Sequence, residues 1–599
     1  MLSYVLSLKM TKKTENNTIA SLRLAIVIAK RTIFAQRVTS KTYELAMKKI
    51  FRKVSMFLLM MSIPVSLSLT SCTEEIKFDS DSNTVPGSDS IPESKEKYNI
   101  ILITTDQEAY MPSFPQESNY AARERLRSLG TTFEKHYACS NVSTSSRSVM
   151  YTGRHVTETK MLDNTNLVYQ PDMDTNIKTV GDMMTEAGYY AAYKGKWHIS
   201  RHEDSLEDYG FKDWTEGNIY GSVWEGFHAD STIAARACEW LTTIGMERNQ
   251  SGQPFFLAVN FINPHDIMYF CESEKTGSFG SATAPDAPVY KKKYPSVPVP
   301  ASWNESLSKA SRPSAHFQYQ KGWDLVTGES PNTEEEWRTF RDYYFNCIQD
   351  CDNQMNRLLD HIQELGLMEN TIIVYTSDHG EMMGEHCMKG KGGNIYENNI
   401  HVPMVIYHPD YEGGRSCQSV TSHLDLASTF VDMATDNASD ANRIKAGVVG
   451  YSLMEAMQNT NAPMRNHEGA LFVYDMISMM DDDPEVKPHP NGELELHVDL
   501  ENRGYLRGII TQDFKFARYF SPLHFNTPTD VESLYENNDV ELYAMGTSEC
   551  DNMAHPKGNN PELVEAYNRK LNNIISREIG VDDGRETSNF IEGIEKYGK

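Results

Sequence analysis

Four short apolar runs, each followed by polar or charged residues, constrain the fold of this chain more than any other feature. The runs span residues 98–104, 189–193, 254–261 and 371–375. Their β-branched and aromatic residues predict buried strands of a parallel sheet. Ligand sites in such sheets form beyond the carboxyl ends of the strands, so the polar residues after each run are the first candidates for a functional site.

Helical spacing predicts the elements that cover this sheet. The predicted helices span residues 177–187, 229–244, 335–365 and 561–579. After Gly469 the pattern changes to short alternating segments, which indicates a second, smaller structural unit. Residues 270–335 are rich in proline, and we expect an irregular excursion over the sheet edge there that carries substrate selectivity.

The net charge limits the kind of partner that the chain can bind. The 599 residues carry a formal charge of −26, although residues 1–71 contain 12 Lys/Arg against 2 Asp/Glu and are therefore at +10. Without that segment the charge is −36, which repels nucleic acid and requires a local cationic pocket for any anionic substrate. We therefore expect no nucleic-acid partner.

The N-terminal segment has the features of an export signal. An apolar run at residues 56–69 follows a basic stretch after Met47, is too short to span a membrane, and ends in the lipobox sequence Leu69-Thr70-Ser71-Cys72. Its resemblance to bacterial lipoprotein signals implies that Cys72 is lipidated and that the protein is anchored in the cell envelope, either in the periplasm or on the outer-membrane surface. A signal cleaved without lipidation is the alternative. The predicted boundaries are an over-extended start at 1–46, a signal peptide at 47–71 and a flexible tether at 72–97.

Residues that suit metal or anion binding follow the four apolar runs. Carboxylates and imidazoles are ligands of divalent cations, whereas lysine and histidine can bind an anion. Taken one by one, each of these residues could equally cap a helix or lie in a solvated turn. The candidates are Asp106 after the first run, Lys196 and His198 after the second, His265 after the third, and Asp378 and His379 after the fourth.

Residues 140–155 contain a candidate nucleophile. Ser143 precedes Arg147 by about one helical turn, and Thr152-Gly153 follows. A serine hydroxyl is a weak nucleophile unless a base, a metal or a covalent modification activates it. The alternative interpretation is an ordinary serine-rich helix start.

In combination, these segments resemble the sulfatase family. The stretch from Ser143 to Gly153 follows the family signature of Cys or Ser, x-Pro-x-Arg, four residues and Thr/Ser-Gly, with Ser145 in place of Pro. The resemblance covers nearly all of residues 97–580. A single early Asp106 combined with Asp378-His379 is similar to the branch of the superfamily that includes phosphonate monoester hydrolases. Further matches, in the same order, are Gly195-Lys196-Trp197-His198, Pro264-His265 and Asp378-His379-Gly380-Glu381.

The resemblance implies an α/β fold of the alkaline phosphatase type. It places a mixed, mainly parallel sheet between helices in residues 98–468, and a smaller antiparallel α+β subdomain in residues 469–599. It further implies that a formylglycine-generating maturase oxidises Ser143 and that the hydrated aldehyde attacks sulfur, with Arg147 holding the hydrate.

The resemblance also implies roles for the remaining candidates. The divalent cation, Ca²⁺ in preference to Mn²⁺, would be bound by Asp106, Asp378 and His379. The sulfate oxygens would be bound by Lys196, His198 and Lys391, with Lys389 as the alternative to Lys391. The leaving alcohol would be protonated by His265 or His198.

Three hypotheses on function follow. The first is a sulfuric ester hydrolase acting on a sulfated glycan or a small sulfate ester. The second is a phosphonate monoester or phosphodiester hydrolase of the same superfamily, which the single Asp106 fits equally well. The third is an inactive, lipid-anchored glycan-binding homologue. Ser145 favours the third, because a maturase that requires another residue at this position would leave Ser143 unmodified, whereas the retained Arg147, Lys196 and Asp378 argue against it.

Overall fold

The computed structural model describes residues 97–584, apart from residues 168, 203 and 218 and the segments 477–486, 489–493 and 496–498. The described residues belong to one compact unit. The predicted start, signal peptide and lipidation at Cys72, and all but the last residue of the tether, lie outside the described part of the chain. None of the described helices is both long and apolar enough to cross a bilayer.

A seven-stranded sheet forms the centre of the fold. Its strands are β1 (Asn99–Asp106), β2 (Thr131–Tyr137), β3 (Tyr190–Gly195), β4 (Phe255–Pro264), β5 (Thr371–Ser377), β6 (Met404–Tyr407) and β7 (Arg415–Ser422). They are arranged in the order β3-β4-β1-β5-β6-β2-β7. Only β6 runs antiparallel to its neighbours, and the other pairs are parallel. The four predicted strands are β1, β3, β4 and β5, which confirms the mainly parallel sheet.

Helices cover both faces of this sheet. On β1, Ile100 and Leu102 point into one apolar cluster, while Ile101 and Ile103 point into another. Burial on both faces explains why β1 carries a continuous apolar run and does not alternate. The α-helices of the described chain, whichever sheet they cover, are α1 (Ala121–Leu129), α2 (Ser143–Thr152), α3 (Val156–Thr159), α4 (Val180–Glu186), α5 (Glu225–Trp240), α6 (Met246–Gln250), α7 (Ser314–Thr327), α8 (Glu334–Glu364), α9 (Glu397–Ile400), α10 (Asp425–Ala434), α11 (Ala438–Ile444), α12 (Met454–Gln458), α13 (Val531–Asn537) and α14 (Pro561–Glu578).

A separate four-stranded antiparallel sheet follows. It contains β8 (Ala470–Tyr474), β11 (Tyr505–Ile510), β12 (Phe514–Phe520) and β13 (Asp539–Ala544) in the order β13-β12-β11-β8, and a short pair is formed by β9 (Lys487–Pro488) and β10 (Leu494–Glu495). Helix α14 packs against the four-stranded sheet, with Leu571 in the same cluster as Ile509. The predicted smaller antiparallel sheet with a covering helix is confirmed.

A buried arginine joins the two parts of the fold. Arg465 lies 2.8 Å from Asp425 Oδ1 on α10 and 2.7 Å from Glu578 Oε1 on α14. All three side chains are almost completely buried. Removing one member of such a network leaves uncompensated buried charge, which typically costs about 3–5 kcal/mol.

The prediction that residues 270–335 are irregular is wrong in one part. Helix α7 occupies Ser314–Thr327 within this segment, beginning directly after Pro313. Its buried face includes Ala315, Tyr319 and Trp323, which recur at intervals of four residues. The abundant prolines of the segment obscured this helical periodicity.

Candidate active site

Parallel pairing brings the carboxyl ends of four strands together. Strands β3, β4, β1 and β5 are neighbours in this order, and Thr105 lies in register with Ser377 while Gly195 lies in register with Asn260. The candidates from the sequence therefore meet at one edge of the sheet. Asp106 ends β1, Lys196 and His198 follow β3, His265 follows β4, and Asp378 and His379 follow β5.

Asp106, Asp378 and His379 form a buried cluster of possible metal ligands. One ligand atom of each residue lies within 4.8 Å of those of the other two. His379 Nε2 is 3.7 Å from Asp106 Oδ1 and 3.6 Å from Asp378 Oδ1. Two carboxylates and an imidazole this close together are a donor set that fits a divalent cation.

The surrounding charges shift the pKa values of this cluster in different directions. Burial raises the pKa of Asp106, but the surrounding basic groups, of which Lys196 contributes most, together outweigh burial and hold this pKa well below its usual value. Burial and the negative charge of Asp106 raise the pKa of Asp378 to about 6. Burial lowers the pKa of His379 well below its usual value, which keeps the imidazole in the neutral form that binds metals.

Ser143 opens helix α2 directly beside the cluster. Its Oγ lies 3.0 Å from His379 Nε2 and 3.4 Å from each carboxylate oxygen of Asp106. One helical turn later, the Arg147 guanidinium donates from Nε to Asp378 Oδ2 at 2.9 Å and from Nη2 to Asp106 Oδ2 at 3.1 Å. The spacing between Ser143 and Arg147 therefore places a hydroxyl and a cation on the same side of the carboxylates.

Lys196, His198 and His265 add three basic side chains to the site. Lys196 Nζ is 2.8 Å from Asp106 Oδ2, and His265 Nε2 is 4.0 Å from Asp106 Oδ1. Both rings are buried. Among the described residues, no hydrogen-bond partner is found for either ring nitrogen of His198 or for Nδ1 of His265. Buried polar atoms without partners are costly, so these imidazoles are suited to contact a polar ligand.

Lys391, and not Lys389, turns toward the site. Lys391 Nζ donates to Gln107 Oε1 at 2.5 Å, and Gln107 directly follows Asp106. Lys389 Nζ instead donates to the carbonyl oxygen of Gly328. Burial lowers the pKa of Lys391 to about 8, although the negative charge of Asp106 opposes this shift. Of the two lysines that the sequence left open, the geometry favours Lys391.

Gln107 and Asn260 belong to the site, although neither was among the candidates from the sequence. The backbone N–H of Gln107 donates to Asp378 Oδ1 at 3.0 Å, and Asn260 Oδ1 accepts from Arg147 at 3.3 Å. Their positions in the sequence could have identified them. Gln107 directly follows Asp106 at the end of the first apolar run, and Asn260 is a polar residue within the third apolar run.

Solved structures share this arrangement of elements. The protein BT4656, in complex with its substrate D-glucosamine-2-N,6-O-disulfate, superposes with a TM-score of 0.55 at 19% identity, over 82% of this chain and 99% of that one. The phosphonate monoester hydrolase from Silicibacter pomeroyi superposes with a TM-score of 0.58 at 17% identity, over 82% and 97% of the two chains. At these identities the likeness concerns the fold alone.

Sequence comparison identifies the family. The family model described as Sulfatase matches residues 98–436, more than half of the chain. The chain therefore belongs to the sulfatase family. Arylsulfatase K of Xenopus laevis is 24% identical over 509 residues, which cover 81% of this chain and 84% of the relative. The N-acetylglucosamine-6-O-sulfatase of Bacteroides thetaiotaomicron is 24% identical over 503 residues, or 72% and 80% of the two chains. The uncharacterized sulfatase YidJ of Escherichia coli (strain K12) is 25% identical over 340 residues, which span 52% of this chain and less than two thirds, 62%, of the relative.

Proposed function

We propose that this protein hydrolyses sulfate monoesters of a glycan, releasing sulfate and the free alcohol. The observation that carries the proposal is Ser143 Oγ, buried at the start of α2 beside a three-residue donor cluster and Arg147. Family membership and the sulfated substrates named for BT4656 and for the N-acetylglucosamine-6-O-sulfatase support this choice of substrate class.

Two groups would complete the site. Asp106, Asp378 and His379 would hold the divalent cation, Ca²⁺ or Mn²⁺, which lowers the pKa of the nucleophile and neutralises the ester oxygens. Oxidation of Ser143 to formylglycine by a maturase would supply a hydrated aldehyde, a better nucleophile than serine and one that regenerates after each turnover. Arg147 lies one helical turn from Ser143 and would keep this hydrate oriented.

The basic side chains bind the sulfate group. Lys196 and Lys391 come from two different segments that meet at Asp106 and Gln107, so they would approach the sulfate oxygens from two directions. His198 offers a buried ring without a hydrogen-bond partner among the described residues. Cations placed in a buried site before the substrate arrives stabilise negative charge that develops in the transition state.

A histidine protonates the leaving alcohol. Burial, and then the charge of Lys391, lowers the pKa of His265 well below its usual value, while burial and Lys196 do the same for His198. A bound sulfate monoester is anionic and offsets these two lysines. Binding of the substrate therefore raises the pKa of each imidazole and favours the protonated form that a general acid requires.

The general acid can be identified by varying the leaving group. We expect His265→Ala to lower kcat for a sugar sulfate by about 10²–10⁴-fold, because an alkoxide must be protonated as it departs. The loss is expected to be small for a nitrophenyl sulfate, whose leaving group is stable as an anion. His198→Ala, measured in parallel, serves as the matched comparison. If His198→Ala shows the leaving-group dependence and His265→Ala does not, the two roles are reversed.

A substrate panel tests the proposed function itself. Purified protein, produced together with a serine-accepting maturase and supplied with Ca²⁺ or Mn²⁺, is expected to release sulfate from sulfated glucosamines faster than it cleaves a phosphonate monoester or a phosphodiester. Preference for the phosphorus substrates would favour the phosphonate hydrolase alternative, which the single Asp106 fits. Binding of sulfated sugars without turnover of any substrate would favour the inactive glycan-binding homologue.

We also propose that lipidated Cys72 anchors the protein in the cell envelope. The lipobox Leu69-Thr70-Ser71-Cys72 supports this proposal. We expect Cys72→Ala to move the protein from the membrane fraction to the soluble fraction, because the lipid is attached to this thiol. Cys550→Ala is the control, since Cys550 is an exposed free cysteine in the folded part. A Cys72→Ala protein that still sediments with membranes would contradict the proposal.

A further inference from the structure

Two glycines, one on each side of Lys391, pack closely against aromatic rings. A Cβ atom on Gly390 would lie 2.8 Å from Trp323 Cε2, and one on Gly392 would lie 2.1 Å from Tyr319 Cε2. Both glycines also have positive φ values, +77° and +148°. Because glycine has no side chain, the backbone at both positions can lie directly against the rings, and neither position can accept a larger residue.

Trp323 and Tyr319 reach this backbone from the same helix. They lie one turn apart on α7, are 3% and 4% exposed, and their ring centroids are 5.8 Å apart in an edge-to-face arrangement. Trp323 also donates a hydrogen bond from Nε1 to the carbonyl oxygen of Lys391 at 3.1 Å. The helix therefore holds Lys391 by ring packing and by a directional bond to its own backbone.

Other contacts hold the rest of residues 389–394, which we call the lysine loop. Tyr474 on β8 lies behind Gly393, where an added Cβ would be 2.8 Å from its ring. At the other end, Lys389 donates to the carbonyl oxygen of Gly328, which directly follows α7. The lysine loop is thus enclosed by α7 on one side and by the smaller sheet on the other.

The lysine loop needs this support because of its composition. Three of its six residues are glycine, which has more backbone freedom to lose than any other residue. A lysine side chain on such a loop would sample many positions unless neighbouring groups restrict the backbone. Glu381 and Asn399 accept hydrogen bonds from the N–H groups of Gly390 and Gly392, and the rings and the hydrogen bond to the Lys391 carbonyl restrict the segment between them. Lys391 Nζ then reaches Gln107.

We propose that Trp323, together with Tyr319, is a positioning residue that fixes Lys391 for binding the sulfate group of the substrate. The inference rests on the proposed function of Lys391. It also assigns a positioning role to part of segment 270–335, because α7 lies within that segment.

A double-mutant cycle tests this inference. We expect Trp323→Phe, which keeps a ring but removes the N–H donor, to lower kcat/KM for a sulfate ester by about 10–100-fold. In a Lys391→Ala background the same substitution is expected to cause no further loss, because both changes act through one group. Trp240→Phe is the matched control. Trp240 is also buried and donates from Nε1 to Asp213 at 2.8 Å, but it packs against Phe255 at the opposite end of the strands.

A measurement independent of turnover separates this inference from the proposed function. We expect hydrogen exchange of the amides in residues 389–394 to be faster in Trp323→Phe than in the wild type, and unchanged in Trp240→Phe. If the wild-type protein hydrolyses no sulfate ester, the proposed function fails, and the exchange result alone decides the positioning role. Unchanged exchange overturns the inference. Losses in kcat/KM that multiply with those of Lys391→Ala also overturn it.

Discussion

Ser143→Ala is expected to lower turnover of a sulfated glycan by at least about 10⁴-fold, because the substitution removes the covalent step completely. Binding of the divalent cation should remain near normal, since the donor atoms belong to Asp106, Asp378 and His379. The tryptic peptide that carries Ser143 should be lighter than encoded by two hydrogen atoms in the wild-type protein, as formylglycine requires. Intact-peptide mass and initial rates measure the two effects on the same sample.

Ser148→Ala is the matched control for this experiment. Ser148 is a buried serine of the same helix, but its hydroxyl bonds to the carbonyl of Ser145 and to Thr159, away from the cluster. It should retain activity near that of the wild type. Full wild-type activity without any modification of Ser143 would instead favour direct serine catalysis and the phosphatase-like alternative. Absence of both modification and activity would leave the binding-protein hypothesis.

Asp378→Ala is expected to abolish metal binding. Elemental analysis of the wild-type protein should find about one divalent cation per chain, and removal of one of three charged or imidazole donors should reduce the occupancy close to zero. The analysis also distinguishes Ca²⁺ from Mn²⁺. Turnover should fall by at least about 10³-fold, because the cation contributes several kcal/mol to stabilising the transition state.

Asp378→Ala also removes a buried carboxylate and is therefore expected to lower the stability of the fold. A second buried aspartate is needed as a control for this effect. Asp475 is buried and lies 2.5 Å from the Arg507 guanidinium in the smaller sheet, as Asp378 is paired with Arg147 in the site. Asp475→Ala should lower the thermal midpoint by a similar amount but keep its metal. Full metal occupancy in Asp378→Ala would show that the three residues are not the metal site.

The apolar runs predicted β1, β3, β4 and β5 of the central sheet, because strands buried on both faces are rich in apolar residues. The strands β2 and β7 were not predicted, because their sequences are largely polar. The C-terminal alternation and the final helix likewise predicted the smaller sheet and its cover. Helix α7 was missed because the prolines of the surrounding segment indicated an irregular chain and obscured the four-residue spacing of Tyr319 and Trp323. The order of strands could not be predicted, since it depends on crossovers that no local pattern records.

The candidate site was predictable where side chains follow strand ends. Asp106, Lys196, His265 and Asp378 all lie there, and parallel pairing brings them together. The choice between Lys389 and Lys391 was not predictable, because a loop rich in glycine has no periodicity that fixes side-chain directions. That choice follows from tertiary contacts with α7.

The Arg465 network and the ring of Tyr474 bear on how the chain can be shortened. Helix α14 contributes Glu578 to Arg465, and the smaller sheet contributes the ring of Tyr474 to the lysine loop. A protein truncated before Ala470 would therefore leave Arg465 without one of its two carboxylate partners and would lose one side of the support for Lys391. We infer that the C-terminal region is an integral wall of the unit that holds the candidate active site, and we expect its removal to yield an inactive, aggregation-prone fragment and not a minimal enzyme.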